Sequence, residues 1–161
     1  MPPKQKPHKS KQDVQTPPDL LAAIKRDFGV QAWTWDLAAN ETNAVSPNWF
    51  GPGGAQPDSL AVDWRQLDGD LWLNPPFGNI DPWAEKCADM WKDMHGGSRI
   101  FLLTPASVGS NWFDDHVFGI AHVVALSPRV TFCEHKNVYP KDLVLSVFST
   151  IAGGFSTYRW K

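Results

Sequence analysis

At 161 residues, with 42% apolar and 20% charged side chains, the chain is long enough to bury one core, and its length predicts one domain. The net charge of −2 argues against a strongly electrostatic nucleic-acid binder, yet residues 1–12 hold Lys4, Lys6, Lys9 and Lys11 and no acid, leaving 11 basic and 17 acidic residues in the remainder. Cys87 and Cys133 match neither a zinc spacing nor a disulfide framework, and no apolar run nears the roughly 18 residues of a membrane helix. With no signal-peptide apolar core at the N-terminus, the expectation is a cytoplasmic protein without a metal or a membrane partner.

Residues 1–14 read as a disordered basic tail whose lysines suit either solvent or nucleic-acid phosphates. Residues 15–161 form the expected folded domain. Thr16-Pro17-Pro18 predicts a helix from about Pro17 to Phe28, with Thr16 as N-cap, an apolar stripe of Leu20, Leu21, Ile24 and Phe28, and Gly29 as its stop. WTWDLAAN (33–40) predicts a strand, and PNWFGPGGAQPDS (47–59) holds too much Gly and Pro for regular structure; GPGG at 51–54 reads as a mobile loop. A short segment, LAVDW, reaches Asp63 and Trp64, and LWLN (71–74) predicts the next strand.

Asp81-Pro82 predicts a second helix with Trp83, Cys87, Met90, Trp91 and Met94 on its buried face, ended by Gly96-Gly97. IFLLTPAS (100–107) predicts a fully buried strand and Ser110 the cap of a short helix through Phe118. AHVVALSP, VTFCE, LVLSVFST and FSTYRW are all strand-like. Strands alternating with helices predict an α/β fold with a mostly parallel sheet covered on both faces, with antiparallel pairing among the C-terminal strands.

Ligand sites of such sheets lie beyond the carboxyl ends of the strands. Three predicted strand ends carry polar or proline-bearing tips: Asp36 to Asn40, Asn74-Pro75-Pro76-Phe77, and Thr104-Pro105. The second suits one chemistry in particular. An exocyclic adenine amine is a poor nucleophile, because its lone pair is delocalised into the ring. Acceptors on both N–H groups pull the nitrogen toward pyramidal geometry, and the Asn74 side-chain oxygen and the Pro75 carbonyl are candidate acceptors. Pro75 and Pro76 hold the backbone rigid, and Phe77 offers a face for a flipped base. A stiff strand-to-loop turn is the alternative for these four residues taken alone.

The ordered set QTPPDLL, WDLAAN, ETNAVSPNWF, VDW, LWLNPPFGNIDPW, IFLLTPAS, SPRVTF and KNVYPKDLVLSVF resembles the phage-encoded DNA N6-adenine methyltransferase family, over most of residues 15–148. The resemblance implies a somewhat minimal Rossmann-like S-adenosylmethionine-dependent methyltransferase fold acting on double-stranded DNA. It implies that Thr16 and Pro17 meet the methionine end of S-adenosylmethionine, that Asp36 and Ala38 form the first cofactor motif, and that Asp63 with Trp64 meets the cofactor's adenine. Asn74, Pro75, Pro76 and Phe77 match the catalytic motif. Thr16 is equally an N-cap, Asp36 a strand-end acid, and Trp64 a core residue.

Two departures from the wider methyltransferase pattern are visible. No G-x-G turn follows Asp36, where Ala38 and Ala39 stand instead. Only 38 positions separate Asp36 from Asn74, so the usual second strand is compressed or lost, and Glu41 or Asn43 is left as the ribose partner. No separate recognition domain fits in this length. Loops 106–112 and 129–141 are therefore the candidate DNA readers, through Arg129, Lys136, Lys141 and Asn137, and a short or relaxed target sequence is expected. An RNA methyltransferase, a protein-glutamine methyltransferase and a non-catalytic DNA-binding decoy are the alternatives, as a monomer or a weak dimer.

Overall fold

A computed structural model describes residues 14–151 and 153–161. Apart from Val14, the expected basic tail lies outside the described residues. One six-stranded sheet organises the chain: β1 (Trp33–Asp36), β2 (Asp70–Leu73), β3 (Arg99–Pro105), β4 (His122–Ser127), β5 (Leu143–Phe148) and β6 (Gly154–Arg159), in the spatial order β1-β2-β3-β5-β4-β6. β1, β2 and β3 pair in parallel, as do β4 and β6. β5 lies antiparallel to both of its neighbours, so it alone runs against the others.

The period-two alternation of β3 divides the core. Ile100 and Leu102 face one layer with Leu71, Leu73, Val144 and Phe148; Phe101 and Leu103 face the other with Trp72, Leu145 and Val147. On the first face lie α2 (Asp81–Met90) and α3 (Asn111–His116), which bring Ala84, Cys87 and Phe113. On the second lies α1 (Pro18–Phe28), with Leu20, Ala23 and Ile24 buried. Burial of these large apolar side chains on both faces, at roughly 1.5–3 kcal/mol each, is what drives the three layers together.

Several expectations need correction. α1 starts one residue later than expected: Pro17 is its N-cap and has no side-chain acceptor to cap the helix, while the Thr16 hydroxyl bonds Asn74. Ile80 likewise stands at the N-cap of α2, with Asp81 and Pro82 as its first two residues. VTFCE is no strand; it belongs to the β4–β5 connection, which pairs locally by Tyr139 N–H to the Val130 carbonyl at 2.8 Å. Antiparallel pairing among the C-terminal strands is present between β4 and β5 but does not extend to FSTYRW, which pairs parallel to β4. Residues 37–69 hold no strand, only two 3-10 turns (Ser59–Ala61 and Trp64–Gln66) and an isolated bridge between Asp36 and Trp49.

GPGG is closed by backbone hydrogen bonds: Gly51 N–H donates to the Gln56 carbonyl, Gly54 N–H to that of Gly51 and Ala55 N–H to that of Trp49. Gly51 has φ 134 and packs against the Ala39 carbonyl, where a Cβ would collide with backbone. At the opposite end of the strands, Arg99 makes a two-point ion pair with its register partner Asp70 at 2.6 and 2.9 Å, and donates to the Phe28 carbonyl at 2.8 Å. No helix among the described residues is long and apolar enough to cross a membrane.

Candidate active site

The parallel register places the candidate residues on one rim. Asp36 is level with Trp72, and the Leu37 N–H bonds the Trp72 carbonyl at 2.8 Å; Leu73 is level with Leu102. Asp36, Asn74 and Thr104-Pro105 therefore all stand at the carboxyl ends of adjacent strands, as expected. Asn74 is partly buried. Its Nδ2 donates to the Val14 carbonyl at 3.4 Å and to Thr16 Oγ1 at 3.3 Å. Both bonds are long, and both fall on the same side of the amide. No donor among the described residues reaches Asn74 Oδ1 or the Pro75 carbonyl. The next carbonyl, that of Pro76, accepts from Asn79 N–H at 3.5 Å and closes the turn.

Phe77 ends the motif inside a group of three rings. It meets Tyr139 edge-on at 5.8 Å and Phe132 at 6.3 Å, while Phe132 and Tyr139 meet at 5.6 Å. Phe132 and Tyr139 come from the β4–β5 connection, whose expected role is DNA reading rather than support of the motif. An aromatic at each end of an otherwise polar loop was the available signal. The connection is also tied to the segment before α1: Cys133 N–H donates to the Gln15 carbonyl at 3.2 Å, and the Cys133 thiol to the Thr16 carbonyl at 3.7 Å. Burial raises the Tyr139 phenol above its ordinary range.

The residues expected to meet a cofactor divide into two groups. Asp36 is 2% exposed, and its carboxylate accepts from Ala38 N–H at 3.2 Å and from Val45 N–H at 3.0 Å. Burial pushes the Asp36 carboxyl up to about 6 in spite of those two bonds. Asp36 thus shapes the 37–45 loop from beneath and leaves the partly buried Ala38 at the rim. Asn43 closes the same loop by accepting from Asn40 N–H at 2.8 Å, and Glu41 is exposed beside it.

Asp63 starts the Trp64–Gln66 turn, accepting from Arg65 N–H at 3.1 Å and pairing with the Arg65 guanidinium at 2.8 and 2.9 Å. Those bonds hold its carboxyl below the usual range. Trp64 has no exposed surface. Its indole N–H bonds the Ser59 carbonyl at 3.2 Å and its ring stacks on Trp83, so it supports the Asp63 turn from within the core and presents no face to a ligand. Thr16 and Pro17 are both buried.

Of the expected DNA readers, Lys136, Asn137 and Lys141 are exposed on the β4–β5 connection. Arg129 is held by Asp142 at 2.8 Å, with both side chains at least half exposed. The 106–112 loop joins the same rim through the Ala106 N–H bond to the Asp142 carbonyl at 2.9 Å. Both candidate reading loops therefore meet next to the Asn74–Phe77 tip.

The class is a mixed α/β protein with a mostly parallel six-stranded sheet, whose Asn-Pro-Pro-Phe turn leaves one strand tip beside the 129–141 loop. The family is particular. Residues 4–143 match the model of the Dam family, DNA N-6-adenine-methyltransferase, and the chain belongs to that family. It is similar to the DNA N-6-adenine-methyltransferase of Escherichia phage T1, with 24% identity over 138 residues, covering 86% of this chain and 54% of the phage protein. The chain spans about half the length of that relative.

Proposed function

We propose that this chain transfers a methyl group from S-adenosylmethionine to the N6 amine of adenine in double-stranded DNA, using residues 15–161 as a catalytic domain of Rossmann-like methyltransferase type in the cytoplasm. The observation that carries the reading is the pair of neighbouring acceptors, Asn74 Oδ1 and the Pro75 carbonyl, that no described donor satisfies. A flipped adenine would give one N6–H to each. That geometry draws the nitrogen lone pair out of the ring and aims it away from the acceptors. Pro75 and Pro76 keep the acceptors in place at no cost of reorganisation, and Phe77, backed by Phe132 and Tyr139, supplies the stacking face.

S-adenosylmethionine supplies an electrophilic methyl group when bound. The donor set fits it in part: Asp63 offers a carboxylate with 41% side-chain exposure, the acceptor that an aminopurine requires. Ala38 offers a close backbone approach over Asp36, with Asn43 nearby as the candidate ribose partner. Pro17 closes the methionine side, while the Thr16 hydroxyl is taken up by Asn74, and Trp64 acts only through Asp63. The transferred proton leaves from the product ammonium, which is acidic enough to lose it to water without a dedicated base.

Lys136 and Lys141 suit phosphates and Asn137 suits an adenine edge. Arg129 is free to exchange its surface partner Asp142 for a phosphate, since an exposed pair of this kind is worth only about 0–1 kcal/mol. The test is methyl transfer from labelled S-adenosylmethionine to unmethylated duplex DNA, with nucleoside analysis. N6-methyladenine from the wild type and none from Asn74→Ala is the expected result. Measured donor binding with no DNA product would move the assignment to an RNA or protein-glutamine substrate or to a decoy.

A further inference from the structure

Asparagine is nearly symmetric in shape, so a site that needs its oxygen must also prevent the amide from turning over. The groups behind Asn74 bear on this directly. The Val14 carbonyl can only accept, so it demands the NH2 end of the amide. Turned over, the amide would set Oδ1 against the Val14 carbonyl, two acceptors with no proton between them. Thr16 Oγ1 accepts from the same NH2 at 3.3 Å, and Thr16 is 3% exposed. The segment that carries both groups is itself fixed by Cys133, whose N–H and thiol bond the Gln15 and Thr16 carbonyls.

We infer that Thr16 is a positioning residue for Asn74: its buried hydroxyl, together with the Val14 carbonyl, holds the amide with Oδ1 turned toward the substrate amine. The inference rests on the methyltransferase reading for its consequence, but the anchoring itself does not. Thr16 stands one position before the N-cap Pro17, and its hydroxyl faces Asn74. The 14–16 segment and the β4–β5 connection thereby organise both ends of the motif. One holds Asn74, the other Phe77, and Cys133 joins the two segments.

The test compares Thr16→Val, which keeps the shape and removes the hydroxyl, with Thr16→Ser, which keeps the hydroxyl. Expected is a loss of kcat of about tenfold or more in the valine variant, the scale of one orienting hydrogen bond, with KM for S-adenosylmethionine nearly unchanged and most of kcat recovered in the serine variant. A raised KM for the donor at unchanged kcat would place the hydroxyl on the donor and overturn the inference. Solvent exchange of the Asn74 side-chain amide protons, followed by NMR, gives a readout independent of activity. Faster exchange in Thr16→Val than in wild type and Thr16→Ser supports the anchoring, and equal rates in all three overturn it. Thr16→Ala serves the same comparison should the valine variant not fold. A wild type that yields no N6-methyladenine would sink the functional reading while leaving the exchange rates to decide the anchoring.

Discussion

Asp36 illustrates how a single buried carboxylate can organise a loop and destabilise the fold at the same time. Its folded pKa of about 6 lies above the ordinary 3.8. The folded state therefore binds this proton more tightly than the unfolded chain does. Stability from this group is complete below the unfolded value, declines through the window between the two, and is lost above about pH 6. Urea unfolding of wild type and Asp36→Asn from pH 3.5 to 7.5 checks it: the wild type should lose on the order of 3 kcal/mol relative to the variant across that range. A constant difference would show that Asp36 ionises freely in the fold. At this scale the residue types were legible in the sequence, since Asn74, Phe77 and Asp36 stand at strand tips as expected. Their partners were not. Nothing in the spacing of Thr16 and Asn74, 58 positions apart, announces a hydrogen bond, and Trp64 beside a candidate acid looks the same in sequence whether its ring is open or buried.

Periodicity located most of the elements, while their ends depended on contacts made elsewhere. The continuous apolar runs in IFLLTP and LVLSVF predict strands that the structure contains, because both faces of the sheet are buried. VTFCE carries the same β-branched and aromatic signal, yet its Phe132 is buried against Phe77 rather than against a neighbouring strand. Tertiary packing overrode local propensity there. The long 37–69 connection is held by backbone bonds in place of a strand, and Gly51 is its tightest point. Gly51→Ala should cost more than about 2 kcal/mol, because φ 134 and the adjacent Ala39 carbonyl both oppose a side chain. A denaturant midpoint indistinguishable from wild type would refute that. The Arg99–Asp70 pair, partly buried and fully geometric, should behave differently from the surface pairs: Arg99→Ala should cost about 3 kcal/mol, chiefly from the stranded Asp70 carboxylate and the unpaired Phe28 carbonyl.

Across the whole molecule, charge is segregated in sequence, with four lysines in residues 1–12 against an acidic excess in the remainder. If DNA is the substrate, removing residues 1–12 should weaken binding at low salt and flatten the dependence of log affinity on log salt by up to about 3.6, at roughly 0.9 per lysine engaged. An unchanged slope would show that these lysines stay in solvent. The family and the α/β class were legible at this scale, from an ordered series of short motifs. The strand order was not, because nothing local distinguishes a parallel from an antiparallel partner for FSTYRW.

The reversal of β5 has a practical meaning for this architecture. Because β4 arrives at the rim and β5 departs from it, the link between them returns to its starting edge and crosses no layer of the core. Its anchors, Val130, Phe132 and Tyr139, are fixed, but residues 134–137 between them are exposed and support nothing beneath. A loop of this kind can be lengthened, shortened or exchanged without altering a strand. If the proposed reaction holds and these residues read DNA, grafting residues 134–137 between relatives would transplant a preference for one DNA sequence over another onto an unchanged strand-tip motif, making the hairpin tip an interchangeable cartridge on a fixed chassis.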